Sequence, residues 1–210
     1  MKYLDLTRTI TQDIQQWPCD PPLKLEQTVS QGFIVDNILQ TGMHLGTHID
    51  APGHMIMGGK TLLAYSPETF IGRGALIDAR GKKEIDLDLL AQVSIQPRDI
   101  LLILTDSDEK YGTPAYFQDY PAFTEAFAKK LIELNVKIVG MDSPSPDYMP
   151  FPIHTALLSH DVLIIEMMTN LKSLLGVKAF EVIALPPKFD TAGSFVRALA
   201  KIDSSSNNMQ

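Results

Sequence analysis

The stretch HLGTHIDAPGH, residues 44–54, holds three of the chain's five histidines. His44 and His48 together with Asp50 offer two imidazoles and one carboxylate. That is the ligand composition of a catalytic site for a divalent ion, because structural sites close all four positions and favour thiolates. An ion so held lowers the pKa of a water molecule from about 15.7 towards roughly 7, the basis of hydrolysis at neutral pH. His54 is left over a few residues on, placed to carry a proton. Imidazole and carboxylate donors suit Zn²⁺ and Mn²⁺ alike, and no thiolate is present to favour zinc. In a chain otherwise poor in histidine, surface decoration is the weaker reading of this cluster.

Bringing these groups together requires a bend. His44, Gly46, His48, Asp50, Pro52 and His54 share one parity, while Met43, Leu45, Ile49, Ala51 and Met55 between them are apolar. This is the period-two pattern of a strand with one buried face. A straight strand would hold His44 and His48 roughly 13 Å apart. Two ligands of one ion must each lie about 2 Å from it. Gly46, two β-branched residues and Pro52 disfavour a helix. The spacing therefore predicts a strand ending near His44, a kink at Gly46–Thr47 and an outward turn through Pro52–Gly53.

The elements around the cluster read as one α/β domain over residues 1–203, followed by a polar tail, 204–210, expected to fray. Strand patterns cover LDLTRTI, QTVS, FIVDNILQ and ALIDAR. ILLILTD and KIVGMD are continuous apolar runs, as strands buried on both faces appear. Between them lies the clearest helix, PAFTEAFAKKLIELN from Pro121, with Phe123, Phe127, Leu131 and Leu134 at helical spacing. EIDLDLLAQV reads as a short helix capped by Asp86, and HTALLSH as another, followed by strands VLIIE, EVIALP and FVRALAKI.

Some of these elements carry chemistry at their ends. Glu166 closes VLIIE, where a carboxylate is costly unless paired or metal-bound. His154 opens HTALLSH, where a helix-terminal cap and a ligand are equally good readings. Trp17, the single tryptophan, sits in the Pro-rich WPCDPP. That segment suits a loop over a site, where an indole stacks on an aromatic substrate; a core or lid aromatic is the alternative. Asp142, at the turn after KIVGM, is a candidate supporting residue. Arg197 reads as a strand-end ion-pair partner and His160 as a surface residue.

Composition narrows the function classes. A net charge of −7 leaves no basic stripe to neutralise nucleic-acid phosphates and disfavours an anionic membrane surface. No apolar run reaches the length of a membrane span. Cys19 alone can form no internal disulfide, and the N-terminal residues lack a signal-peptide h-region. A cytoplasmic protein acting on a small molecule is expected.

HLGTHIDAPGH resembles the H-x-G-T-H-x-D-x-P-x-H motif of the cyclase family of metal-dependent hydrolases, which includes bacterial kynurenine formamidase (arylformamidase) and isatin hydrolase. Every fixed position matches. QWPCDPP is similar to the family's W-P-G-D-P segment, HTALLSHDVLIIEMMTNL to its H…E-N-L segment, and GSFVRALA to its G-S-P-V-R-A stretch. Two departures are Cys19 in place of glycine and the interruption of E-N-L as Glu166-Met167-Met168.

The resemblance implies a compact, swivelling β/β/α domain with a mixed sheet and few helices, commonly paired as a homodimer. It implies that His44, His48 and Asp50 hold a first metal and that Asp50 bridges to a second, held by His154 and Glu166. One or two Zn or Mn ions are thus expected per chain. It further implies that His54 donates and accepts the proton and that Trp17 contacts the substrate. The activity implied is hydrolysis of a C–N bond in a formamide or lactam, with N-formylkynurenine of tryptophan catabolism first. The alternatives are an isatin-type lactam, a metal-dependent cyclase or dehydratase, and a non-catalytic metal-binding protein.

Overall fold

The computed structural model describes residues 1–202. Its strands are β1 (Lys2–Asp5), β2 (Lys24–Ser30), β3 (Ile34–Gln40), β4 (His48–Asp50), β5 (Ile71–Asp78), β6 (Glu84–Ile85), β7 (Ile100–Leu104), β8 (Ala122–Phe123), β9 (Ile138–Met141), β10 (Leu163–Glu166), β11 (Phe180–Leu185), β12 (Gly193–Phe195) and β13 (Arg197–Ile202). Two α-helices, α1 (Glu125–Glu133) and α2 (Pro152–Ser159), and several 3-10 turns connect them. Nine strands form one mixed sheet in the order β1-β13-β11-β5-β7-β9-β10-β4-β12. The run β5–β7–β9–β10 is parallel, and the flanking pairs are antiparallel.

One connection dictates the shape of this sheet. Strands β12 and β13 are separated by Val196 alone, yet β12 is the last strand in the order and β13 the second. The sheet must curl until its ends meet. Hydrogen bonds close the seam: Val196 N–H donates to the Thr47 carbonyl (2.9 Å) and Thr169 N–H to the Leu6 carbonyl (3.0 Å). Inside the curl, Leu102 and Leu104 of β7, Ile165 of β10 and Ile49 of β4 pack with the small Ala198 and Ala200 of β13. On the outer face, Leu101, Ile103, Val139 and Ile164 lie beneath Phe127 and Leu131 of α1 and Leu157 of α2. The expected double burial of β7 and β9 follows from this arrangement. The chain is a single domain, with no helix among the described residues long and apolar enough to cross a membrane.

Tertiary pairing moved several element boundaries. The helix expected from Pro121 starts at Glu125, where the Thr124 hydroxyl caps it by accepting the Phe127 N–H (3.1 Å). Ala122 and Phe123 pair with β6 instead. EIDLDLLAQV is not an α-helix: β6 is followed by a 3-10 turn, Leu87–Gln92. The Asp86 carboxylate accepts the Thr124 hydroxyl (2.8 Å) rather than capping its own turn. LDLTRTI is strand only over β1, and FVRALAKI is divided at Val196. The strand FIVDNILQ ends at Gln40, short of His44, and pairs only with β2. That hairpin leaves Val29, Phe33, Val35 and Ile38 exposed. The tail at 204–210 lies outside the described residues.

Candidate metal centre

Gly46 adopts φ +57°, in the left-handed region that side-chain-bearing residues rarely enter. The chain turns there, and the His44 and His48 ring centroids lie 5.1 Å apart. The predicted kink is present, although the strand resumes beyond it as β4. In β4, His48 and Asp50 share a face and Ile49 points into the core. Sheet register then supplies the next carboxylate, because Glu166 of β10 stands opposite His48. On the other side, Gly193 of β12 stands opposite Asp50. A Cβ at 193 would lie 2.4 Å from His44 Cε1, so glycine is what leaves room for the imidazole.

Helix α2 brings in His154. The Asp147 carboxylate sits at its N-terminus, accepting the Ile153 N–H (2.6 Å) and the His154 Nδ1–H (2.6 Å). His48 is oriented in the same way, donating Nδ1–H to the Gly46 carbonyl (2.8 Å). Anchoring Nδ1 leaves Nε2 of each ring as the free nitrogen. His48 Nε2 faces Glu166 Oε2 at 3.2 Å and Asp50 Oδ1 at 3.7 Å. His154 Nε2 faces Glu166 Oε1 at 2.9 Å and Asp50 Oδ2 at 4.0 Å.

In neutral rings these contacts set lone pairs against lone pairs, which only a cation can reconcile. Without one, the rings themselves must take protons. Burial opposes the charged form of His48, but Asp50 and Glu166 outweigh it and push its pKa up to about 9. His154 is likewise buried, yet Asp147 and Glu166 push it up to about 10. Burial would raise Asp50 and Glu166, and the surrounding histidines hold both below their ordinary values instead.

Both Asp50 oxygens, Glu166 Oε1 and His44 Nδ1 are buried without a hydrogen bond. His44 Nδ1 is 2.7 Å from Asp50 Oδ1 but misaligned for one. His44, His48 and Asp50 form one group with donor atoms within 4.8 Å of one another, and Asp50, His154 and Glu166 form a second. Asp50 belongs to both. Two buried carboxylates and three imidazoles with orphaned donor atoms fit a divalent cation.

Above this cluster opens a cavity of about 320 Å³, lined among others by Trp17, His54, Phe151 and Met167. His54, on the 3-10 turn Pro52–His54, sets its ring 4.0 Å from that of His44. Partial burial lowers its proton affinity, Asp50 raises it and His44 lowers it again, leaving the pKa below the ordinary imidazole value. Trp17 is half-buried and packs edge-on against Phe117 (5.2 Å) and Phe151 (6.5 Å). The six predicted site residues are therefore gathered with Trp17 around one space.

Asp142 does not line this cavity. It is buried behind it, accepting the Thr105 N–H (2.8 Å) and hydroxyl (2.6 Å), and burial pushes its pKa up to about 6. Arg197 pairs with Asp5 as expected, and His160 is exposed. Sequence reasoning missed Asp147, Gly193 and Asp20, the last another cavity-lining residue. A lone acid in the proline-rich SPSPDYMPFPIH, five residues before the helix whose Ile153 N–H it accepts, was the available signal for Asp147.

The family model described as "Putative cyclase" matches residues 4–148. The chain belongs to the cyclase family. Kynurenine formamidase of Bacillus thuringiensis subsp. konkukian is 30% identical over 208 residues, covering 95% of this chain and 97% of that one. An uncharacterized protein of Methanocaldococcus jannaschii is 35% identical over 202 residues, covering 95% and 99%. Isatin hydrolase A from Ralstonia solanacearum shares the fold with a TM-score of 0.86 at 25% identity, covering 96% and 92%. Within the cyclase framework both departures find a place here. Cys19 is exposed at the cavity wall. Met168 fills the space above Gly140, where a Cβ would lie 2.7 Å from its sulfur. Met167 holds φ +56° beside the cavity, an uncommon conformation for its type.

Proposed function

We propose that this cyclase-family chain is a metal-dependent amidohydrolase cleaving the C–N bond of an aryl formamide, with N-formylkynurenine as the leading substrate. The observation that carries the reading is the convergence of orphaned imidazole and carboxylate atoms at the floor of an aromatic-walled cavity. His44, His48 and Asp50 would hold one ion, and Asp50, His154 and Glu166 a second. A divalent ion bound there supplies Lewis acidity, acidifying water and polarising a carbonyl.

The chain's own residues supply the rest. The His54 imidazole, neutral at pH 7 with its lowered pKa, takes the proton of the attacking water and returns it to the departing amine nitrogen. Formate and the free arylamine leave. Trp17 and Phe151, their rings inclined at 65° to each other, give the aryl ring an apolar wall and exclude water beside the amide. Asp147 and the Gly46 carbonyl keep His154 and His48 oriented. The isatin hydrolase relative makes an aryl lactam the second reading, since the same wall would accept a fused bicyclic ring.

A hydrolysis panel of aryl formamides and lactams decides between them, run on chelator-stripped protein and on protein reconstituted with Zn²⁺ or Mn²⁺. Formamide turnover that vanishes on stripping and returns with metal is expected. Turnover of lactams alone would favour the second reading, and turnover of neither would overturn the proposal.

We also propose that the active form is a homodimer joined through the β2–β3 hairpin. A two-stranded ribbon is marginal in water by itself, and Val29, Phe33, Ile34, Val35, Ile38 and Leu39 are 43–75% exposed. Val29, Val35 and Leu39 stand on one face of the ribbon and Ile34 and Ile38 on the other, so a twofold partner wrapping the hairpin would cover apolar surface that the chain itself leaves in water. Light scattering should read twice the 23.3 kDa chain mass, and Val35→Lys should halve it. A monomeric wild type would refute this assembly.

A further inference from the structure

One tight turn presents both Trp17 and Asp20 to the cavity. The Asp20 N–H donates to the Trp17 carbonyl (3.0 Å), and prolines at 18, 21 and 22 restrict the flanking backbone. The turn is clamped from behind: Gln16 Nε2 donates to the Pro21 carbonyl (3.0 Å), and the Leu23 N–H donates to Gln16 Oε1 (2.9 Å). An aromatic plane and a carboxylate are thereby held in a fixed relation, three residues apart.

The Asp20 carboxylate has no hydrogen bond or close ion pair among the described residues, and the charged groups that act on it are His44, His48 and Glu166 of the neighbouring cluster. It belongs to neither candidate ligand group. Among the described residues no lysine or arginine lines the cavity. A half-buried carboxylate accepts hydrogen bonds and cannot donate them when ionised, so once a ligand displaces the water beside it, its partner must be a donor that the ligand carries. The missing arginine or lysine gives the same sign: this wall favours a cationic substituent over an anionic one.

We infer that Asp20 is a specificity residue of this pocket, binding the ammonium group of an aryl amide whose ring lies against Trp17. The inference rests on the hydrolase reading above and narrows its substrate class to aryl formamides with an aminoalkyl arm. Asp20 acts on binding and takes no part in proton transfer.

Two formamides that differ only at the arm test it: N-formylkynuramine, which carries an ammonium and no carboxylate, and 2′-formamidopropiophenone, with the formamide on the ring ortho to the ketone, which carries neither. Asp20→Asn should raise KM for the charged formamide about 10–100-fold while kcat, metal content and the neutral formamide's kinetics shift by less than about threefold. Asp20→Glu should recover part of the loss. An equal loss on both formamides, or loss of the ion, would overturn the assignment and make Asp20 a support of the turn or of the metal. If the wild type hydrolyses neither compound, the aryl formamide reading fails, and calorimetry with the amines kynuramine and 2′-aminopropiophenone decides Asp20 separately. Preferential binding of kynuramine that Asp20→Asn abolishes supports the role of Asp20, and equal binding of the two amines refutes it.

Discussion

His54→Ala is expected to purify with the wild-type complement of metal and to lose about 10²–10⁴-fold in kcat, the usual contribution of a positioned acid–base group. His54 belongs to neither candidate ligand group and lines the cavity above them. Its removal should therefore leave the buried donors undisturbed. His48→Ala should behave in the opposite way. That ring is buried between Asp50 and Glu166, and without it one ligand group falls to two donors while two carboxylates face each other with less intervening positive charge. Loss of the ion itself is expected, with turnover lost as a consequence. Elemental analysis of both variants beside kcat on an aryl formamide separates the two roles. Wild-type rates in both would show that the site lies elsewhere.

Gly193→Ala should be as damaging as deletion of a ligand, although Gly193 offers no donor atom. An added methyl would lie 2.4 Å from His44 Cε1, 2.8 Å from Nε2 and 3.1 Å from Nδ1. The strand cannot step back to relieve this contact. Gly193 is in register with Asp50, and the Ala51 N–H donates to the Ala192 carbonyl (2.8 Å), so retreat would break the pairing that positions β4. The imidazole must swing away instead. We expect metal affinity to fall by about 10–100-fold, as when other groups that orient a ligand are changed. Equilibrium dialysis against buffered Zn²⁺ measures the loss, and a preserved thermal unfolding profile in chelator would show that the fold survives. Unchanged affinity would mean that His44 is not a ligand.

What could be read before any coordinates were known was local. The parity of His44, His48 and Asp50, and the glycine between the histidines, were enough to require a corner at Gly46. An unbroken apolar run ending in Glu166 marked a carboxylate that needed a partner, although its partner, His48, follows only from the pairing of β10 with β4. His154 reaches the cluster through α2, and the parity rule that gathered residues 44–54 has no reach over such a separation. Asp147 and Gly193 act entirely through neighbours distant in sequence. Gly193 in particular matters for the side chain it lacks, and an empty volume leaves no trace in hydropathy. Boundaries failed for a related reason: Phe123 fits the helical period of α1 but is drawn into pairing with β6, and Thr124 then caps the helix.

The seam between β12 and β13 also bears on how the protein is made. Donors from residues 44 to 166 are gathered early in the sequence, but the strand that seats His44 and flanks β4 begins only at Gly193. Until β12 is made, β4 has only β10 beside it. The pairing on both sides of β4 is therefore completed only once β12 has been translated.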